Sequence, residues 1–204
     1  MELLAAACLG LGLSAAGGLR IFLPLLVVGL GQRLGMVELG SSLAWTGGTP
    51  ALVALALLCA AEGLGYCIPA VDHALDAVSA PASWVAGALF ATGAVALPLQ
   101  EITAALPDGL GSTLAYAAGL SGAAAAGAAT AGVTQLTGAS GRVVSTTTTL
   151  GTANPIYATL ENLLAGAVSV LAILAPIALG VVLVLATVGV WMVLRKLRPR
   201  RAVV

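Results

Sequence analysis

Residues 156–193 read I-Y-A-T-L-E-N-L-L-A-G-A-V-S-V-L-A-I-L-A-P-I-A-L-G-V-V-L-V-L-A-T-V-G-V-W-M-V, which is 38 residues with a single charged side chain, Glu161. A helix that crosses a membrane needs about 20 mostly apolar residues. The stretch is therefore too long for one straight crossing, and Ala175-Pro176 offers a break. We predict two spans, 156–174 and 177–194, joined by a tight hairpin; a single kinked helix is the alternative.

The composition of the whole chain agrees with this stretch. Of its 204 residues, 60% are hydrophobic and only 8% are charged, and the mean hydropathy is +1.09. A soluble domain carries about 25% charged residues. An ordinary cytosolic enzyme, a disordered chain and a nucleic-acid-binding protein are therefore excluded. The chain is predicted to be an integral membrane protein, a single transmembrane domain over residues 1–204, with the lipid bilayer as its first partner.

Further apolar runs extend this pattern toward the N-terminus. The run at 110–133 consists mainly of Ala, Gly, Ser and Thr, which let helix backbones approach closely in lipid. We expect it to be central, or to form the face of a homo-oligomer. The fold class is all-α, a polytopic membrane protein with about six transmembrane helices. The other predicted spans are 3–31, 51–67 and 81–99.

The orientation follows from the basic tail. Five of the eight basic residues lie in the tail at 195–204, directly after the last span. Cytoplasmic segments next to a membrane carry an excess of Lys and Arg. We predict a multi-pass protein with a cytoplasmic C-terminus.

Two parts of the sequence share the same spacing of glycine, proline and an Asp or Asn residue. Gly65-Tyr-Cys-Ile-Pro69 is followed seven residues after its proline by Asp76, and Gly151-Thr-Ala-Asn-Pro155 is followed at the same offset by Asn162. The shared frame is G-x-x-x-P-x6-[D/N]. It favours two three-helix halves, 1–99 and 110–196, which an odd number of spans would place in inverted orientations with broken or re-entrant segments between them. Chance similarity in a low-complexity sequence is the alternative.

Three segments resemble the bacterial integral-membrane family called domain of unknown function 4126. The resemblance implies location in the bacterial inner (plasma) membrane, and it implies no activity. Where the family carries a Glu-Asp pair this chain has Glu161-Asn162, and Thr134, Gln135 and Thr137 stand where a His and a Lys often precede the arginine that corresponds to Arg142. The segments are S-A-A-G-G-L-R-I-F-L-P-L-L (14–26), E-G-L-G-Y-C-I-P-A-V-D-H-A-L-D-A-V (62–78) and T-T-T-L-G-T-A-N-P-I-Y-A-T-L-E-N (147–162).

Charged side chains within the apolar runs are the first site candidates. Each costs at least about 2.5–3.5 kcal/mol in lipid, so each needs a partner, a cavity or an interface. Arg20 precedes Pro24 and follows two glycines, where a broken helix would aim it at an anionic ligand group; a structural ion pair with Glu62 or Glu161 is the alternative. Glu62 suits proton or cation coupling. Glu161 is a further ligand candidate, or it interacts with a helix N-terminus.

The segment at 134–154 is polar but carries only one charge, Arg142, and includes the run S-T-T-T-T. Hydroxyls can satisfy backbone groups where a loop enters the membrane. We therefore expect a re-entrant loop that lines the site with Thr147, Thr148 and Asn154. An ordinary polar cytoplasmic loop is the alternative.

The connector at 69–80 carries Asp72, His73 and Asp76 in a D-H-x-x-D pattern. Asp72 and Asp76 would share a helix face and are weak candidates for a metal site together with His73. A solvated interfacial turn is the alternative. No catalytic motif such as H-E-x-x-H or G-x-S-x-G is present, and no cofactor is predicted.

These features favour a membrane transporter or channel for a small solute or ion, with an intramembrane polar site where the two halves meet. The alternative is a non-catalytic membrane scaffold or a subunit of a larger complex, in which the charged groups are structural. An intramembrane enzyme acting on lipid is a third reading. Transport predicts selective loss of flux when the charges are removed, whereas a scaffold predicts misassembly.

Overall fold

A computed structural model describes residues 2–66, 69–150 and 152–197, and every regular element in these ranges is a helix. A short 3-10 turn, Trp45–Gly47, lies between the third and fourth α-helices. The all-helical prediction is therefore confirmed. The helices are α1 Glu2–Leu19, α2 Phe22–Arg33, α3 Ser41–Ala44, α4 Thr49–Gly65, α5 Pro69–Ala104, α6 Leu110–Thr149, α7 Asn154–Leu174 and α8 Pro176–Leu197.

Four helices in the described part of the chain are long and apolar enough to cross a membrane: α1, α5, α6 and α7. A fifth crossing results if Ser41–Gly47 and Thr49–Gly65, which meet at 83°, count as one broken span. Two further apolar helical stretches, Phe22–Arg33 of α2 and Pro176–Gly189 of α8, are shorter than the 18 residues taken as the minimum for a crossing. The composition and the helix lengths support a membrane protein, while the count of six and the inverted halves stay predictions.

Helix α1 lies at the centre of the bundle, against α5, α6, α7 and α8. Its contact face consists of small residues, which allow close helix packing in lipid. Gly10 faces Ala91 of α5 so closely that a Cβ atom would lie 2.9 Å from the Ala91 Cα. The buried Ser14 hydroxyl hydrogen-bonds to the Gly10 carbonyl within α1 (2.7 Å) and to the Gly87 carbonyl of α5 (2.8 Å).

The expected polar loop at 134–154 is instead the last part of α6, which continues to Thr149. The last three threonines of α6 are compatible with a helix because their hydroxyls donate to the carbonyls four residues earlier. Thr148 donates to Val144 (2.7 Å) and Thr149 donates to Ser145 (2.7 Å). The expected loop is therefore not formed at residues 134–149, which are helical.

The predicted break at Ala175-Pro176 is present. Helix α7 ends at Leu174 and α8 begins at Pro176, close to the predicted spans 156–174 and 177–194. Only Ala175 separates the two helices, whereas a helical hairpin needs a loop of about two to five residues, so the expected hairpin loop is not formed. The Ala175 N–H donates to the Leu171 carbonyl (2.8 Å), and the Leu179 N–H donates to the Ala175 carbonyl (3.0 Å), which carries the helical hydrogen-bond pattern across the break.

The structure also differs from the expectations for the segment at 69–80 and for the packing of α6. The connector at 69–80 is the first part of α5, a 36-residue helix that contains Pro81 and Pro98. The small-residue helix α6 is not packed on several sides, since only one face of its C-terminal half is buried. Leu110 and Leu114 at its beginning are exposed.

Candidate functional site

Five charged side chains from different parts of the chain are brought together inside the bundle. We call them the charge cluster: Arg20 between α1 and α2, Glu62 of α4, Asp76 of α5, Arg142 of α6 and Glu161 of α7. The two arginines are almost fully enclosed, with 1% and 2% of their surfaces exposed. Because ionised groups are costly away from water, their burial requires close partners.

Glu161 links the two arginines. Its Oε2 lies 3.0 Å from Arg20 Nη1 and also accepts a short hydrogen bond from Arg142 Nη1. The predicted ion pair between Arg20 and Glu161 is therefore present. Glu161 lies two turns into α7, which begins at Asn154, so an interaction with that helix's N-terminus is not its role.

Arg20 lies where α1 ends, and its guanidinium group reaches α7. Its Nε donates to Asn162 Oδ1 (2.5 Å), and its Nη2 donates to the Ala158 carbonyl (3.2 Å). Its Nη1 also donates to the Leu19 carbonyl (3.0 Å). This set of acceptors holds the group in one orientation and ties the break between α1 and α2 to α7.

Arg142 is held by a two-point contact with α5. Its Nη2 lies 2.5 Å from Asp76 Oδ1, and its Nε donates to Asp76 Oδ2 (3.2 Å). Such a bidentate pair fixes distance and angle together. Arg142 therefore joins Asp76 on one side to Glu161 on the other.

The two frame positions found in the sequence have matching roles. Arg20 donates its Nε to Asn162, and Arg142 donates its Nε to Asp76. Asn162 and Asp76 each lie seven residues after the proline of the frame. The two frame positions therefore make corresponding contacts, each with the Nε of a buried arginine.

Tyr66 contacts both guanidinium groups. Its ring centroid lies 4.0 Å from Arg20 Cζ and 4.7 Å from Arg142 Cζ, which is within the range of a cation–π interaction. The Tyr66 hydroxyl donates to Ser79 Oγ (3.1 Å), so its polar end is also satisfied. The negative potential of the ring therefore stabilises both positive charges.

Glu62 binds backbone groups instead of an arginine side chain. Its Oε1 accepts from the Ile21 N–H (3.0 Å) and its Oε2 from the Phe22 N–H (3.2 Å). These are free donors at the beginning of α2, where the helix dipole favours an anion. Glu62 thus stabilises the restart of the helix after Arg20, a role that its position in the sequence did not indicate.

The predicted site residues of the Thr-rich segment lie elsewhere. Thr147 and Thr148 are exposed, and their hydroxyls donate to carbonyls of their own helix. Asn154 is buried, and its Nδ2 donates to Thr146 Oγ1 (2.9 Å), which connects the beginning of α7 to the end of α6. Thr147 and Thr148 therefore do not belong to the charge cluster.

The weak metal prediction is not supported where it can be assessed. The Asp76 carboxylate is engaged by Arg142, while the side chains of Asp72 and His73 lie outside the described residues. Among the described side chains, no group of three His, Cys, Asp or Glu residues could hold a metal ion.

A lateral groove of about 490 Å³ leads to the edge of the cluster. It lies between α2, α4 and α7, and its lining is mainly apolar. Asn162, which accepts from Arg20, contributes a polar group to it. The lining residues are Leu23, Cys59, Thr159, Asn162, Leu163, Gly166 and Ala167.

Sequence reasoning missed several members of the site. The sequence patterns predict Asp76 in a connector and Arg142 in a loop, and they do not single out Tyr66. They mark Asn162 as a position of the shared frame and of the family's Glu-Asp pair, without a role in the site. The lone charge of Arg142 in an otherwise uncharged segment was the available signal, because an isolated charge in an apolar chain needs a counter-ion.

Comparison with known proteins gives a family but no activity. No curated protein is significantly similar to the chain. No solved structure matches it either. The family model described as "Domain of unknown function (DUF4126)" matches residues 7–196. That match covers nearly the whole chain and the entire charge cluster, and the protein therefore belongs to the DUF4126 family.

Proposed function

We propose that the protein is a membrane transporter or channel for a small solute or ion, and that the charge cluster is part of its transport site. The observation that carries the proposal is the convergence of five ionisable side chains, four of them buried, in an apolar helical bundle. Buried ionisable groups in membrane proteins are usually functional, because a purely structural core is made more cheaply from apolar residues.

The formal charge of the cluster supports coupling to a proton or a cation. Two arginines face three carboxylates, so these five side chains sum to −1 when all are ionised. Uptake of one proton or one monovalent cation would make the set neutral. A buried set of charges is most stable when it is neutral, and such uptake would therefore shift the balance between conformations.

The broken helices and the lateral groove support movement of a solute. The break between α1 and α2 places backbone N–H groups and Arg20 near one another, as in transporters whose discontinuous helices form the substrate site. The groove gives this region an opening toward the bilayer. As part of the same proposal, the protein lies in the bacterial inner membrane with its basic C-terminal tail in the cytoplasm.

The test measures proton entry into vesicles of phosphatidylethanolamine and phosphatidylglycerol that contain the purified protein and a trapped pH-sensitive dye. A pH gradient is applied with potassium and valinomycin present, and protein-free vesicles give the background. Glu62→Gln keeps the ion pairs of both arginines with Glu161 and Asp76, so we expect it to fold and to lower proton entry.

The matched control is Glu101→Gln, the same chemical change at an exposed position of α5. We expect it to behave like the wild type. Proton entry no faster than in protein-free vesicles, together with no uptake of glycerol, urea, potassium or chloride, would refute the transport proposal.

A membrane scaffold is the second candidate, and the exposed small-residue face of α6 favours it. Cβ atoms added at Gly111 or Gly122 would meet nothing within 4 Å, so a neighbouring helix could approach closely there. We propose a homo-oligomer through this face. Native mass measurement in mild detergent tests it, and a bulky Gly122→Ile change should dissociate the oligomer without altering the charge cluster.

A further inference from the structure

The lateral groove has a polar end and an apolar end. Thr159 and Asn162 of α7 lie at the end beside the charge cluster, whereas Gly166 and Ala167 lie one to two turns farther along the same helix. At 1.5 Å per residue, the step from Thr159 to Ala167 extends about 12 Å. One leaflet of a bilayer has a hydrocarbon layer of about 15 Å, half of the whole core. The groove therefore resembles a lipid chain in both its length and its gradient of polarity.

The surface around the groove is apolar. Leu58 of α4 and Leu160 and Leu163 of α7 are exposed beside it. In a membrane such side chains contact lipid chains, which are as apolar as leucine. The groove itself has a volume of about 490 Å³ and a mainly apolar lining, so it is a poor site for water, which needs about two to four polar partners. A hydrocarbon chain of the surrounding bilayer is therefore its natural occupant.

We propose that the lateral groove binds one acyl chain of a zwitterionic phospholipid, with the head group beside Thr159 and Asn162. The chain lies along α7 toward Gly166 and Ala167. This inference goes beyond the transport proposal and does not depend on it, because a lipid site of this kind is equally compatible with a membrane scaffold.

The charges behind the polar end favour a head group that carries both signs. Arg20 donates its Nε to Asn162 Oδ1 (2.5 Å), which places a positive group there. The Glu62 carboxylate accepts from the Phe22 N–H (3.2 Å), and the next residue, Leu23, lines the groove. The charge cluster as a whole sums to −1, so an anionic head group such as that of phosphatidylglycerol is disfavoured. Phosphatidylethanolamine offers a phosphate and an ammonium group and matches both signs.

Gly166 provides the space for the chain. A Cβ atom at this position would lie 3.6 Å from Leu23 Cδ2, which is ordinary van der Waals contact, and Gly166→Leu should therefore fold and fill the groove. Gly189→Leu in α8 is the matched control, since a Cβ atom at Gly189 would meet nothing within 4 Å. Thr159→Val is a second variant, which removes the hydroxyl at the polar end from an exposed position.

The protein is reconstituted into vesicles of equal parts phosphatidylethanolamine and phosphatidylglycerol and extracted in mild detergent, and the bound lipid is counted by native mass spectrometry. We expect one phosphatidylethanolamine on each wild-type and Gly189→Leu chain and its loss from Gly166→Leu. Thr159→Val should lower the retention about fivefold, the effect of one hydrogen bond. Circular dichroism shows whether each variant keeps its helices; if Gly166→Leu does not, Thr159→Val decides.

Photo-crosslinking locates the bound chain. Phosphatidylethanolamine with a diazirine in its acyl chain should label residues 163–167 of α7 in the wild type and not in Gly166→Leu. Equal lipid retention by the wild type and both groove variants, preferential retention of phosphatidylglycerol, or labelling spread evenly over the exposed leucines would overturn the inference. A lipid-free dimer of the wild type would assign the groove to a second copy of the chain and would overturn it as well.

Discussion

The link that Glu161 makes between the two arginines leads to a quantitative prediction for Glu161→Gln. The change preserves the size of the side chain but removes its charge. Arg20 then loses its carboxylate partner at 3.0 Å, while its hydrogen bonds to Asn162 and to backbone carbonyls remain. Arg142 keeps its bidentate contact with Asp76. The main loss therefore falls on Arg20.

The expected cost follows from the burial of Arg20. It is 1% exposed, so its charge cannot be transferred to water when Glu161 is neutralised. Removing one partner of a buried ion pair destabilises a protein by about 3–5 kcal/mol, because the other charge is left uncompensated. The new amide also directs an N–H donor toward the arginines. We expect a loss of about this size in the free energy of unfolding.

The assay is reversible unfolding in mixed micelles with increasing dodecyl sulfate, followed by far-ultraviolet circular dichroism. Glu101→Gln in α5 is the control, because this residue is exposed and lies outside the charge cluster. Its effect should stay within about 0.5 kcal/mol, as for most surface changes. The double variant Arg20→Met/Glu161→Gln should be more stable than the sum of the two single changes predicts, by up to about 3 kcal/mol.

The reasoning would be refuted by a Glu161→Gln protein as stable as Glu101→Gln. It would also be refuted by strict additivity of Arg20→Met and Glu161→Gln, since independent effects would mean that the two side chains do not interact in the bilayer-like environment.

Three further changes test other contacts of the bundle. Gly18→Ala would bring a Cβ atom into collision with Thr134, and we expect a loss of about 1–3 kcal/mol in the same unfolding assay, whereas Gly189→Ala in α8, where a Cβ atom would meet nothing within 4 Å, should be neutral. Tyr66→Leu should cost about 1–4 kcal/mol through two lost cation–π contacts, and Tyr66→Phe should keep most of that stability; equal losses would contradict the role of the ring. Glu62→Gln should cost about 1–2 kcal/mol at the N-terminus of α2 and make its first amides exchange faster with deuterium, and unchanged exchange there would contradict the capping role.

Some contacts of the charge cluster could be anticipated from the residues alone. An arginine and a glutamate in apolar runs need counter-charges, so the pairing of Arg20 with Glu161 was among the expected outcomes. The shared frame marks Asn162 and Asp76 as corresponding positions. Nothing in the frame indicates that both side chains accept hydrogen bonds from arginines.

Other parts could not be anticipated, because the same residue types serve opposite roles. A run of threonines suits a loop when the hydroxyls bind exposed backbone groups, and it suits a helix when they bind carbonyls four residues earlier. Only the observed hydrogen bonds show that Thr148 and Thr149 belong to α6. The same ambiguity applies to Arg142, which the polar segment predicts in a loop and which lies buried in α6.

Composition and apolar run length alone predict a helical membrane protein, because the low charge and long apolar stretches leave the chain no stable place in water. The tertiary structure decided which charges meet. Asp76 and Arg142 are 66 residues apart, and Arg20 and Asn162 are 142 apart. Their contacts depend on how α1, α5, α6 and α7 cross, and those crossings are set by the close approach of small residues in three dimensions, which no local pattern encodes.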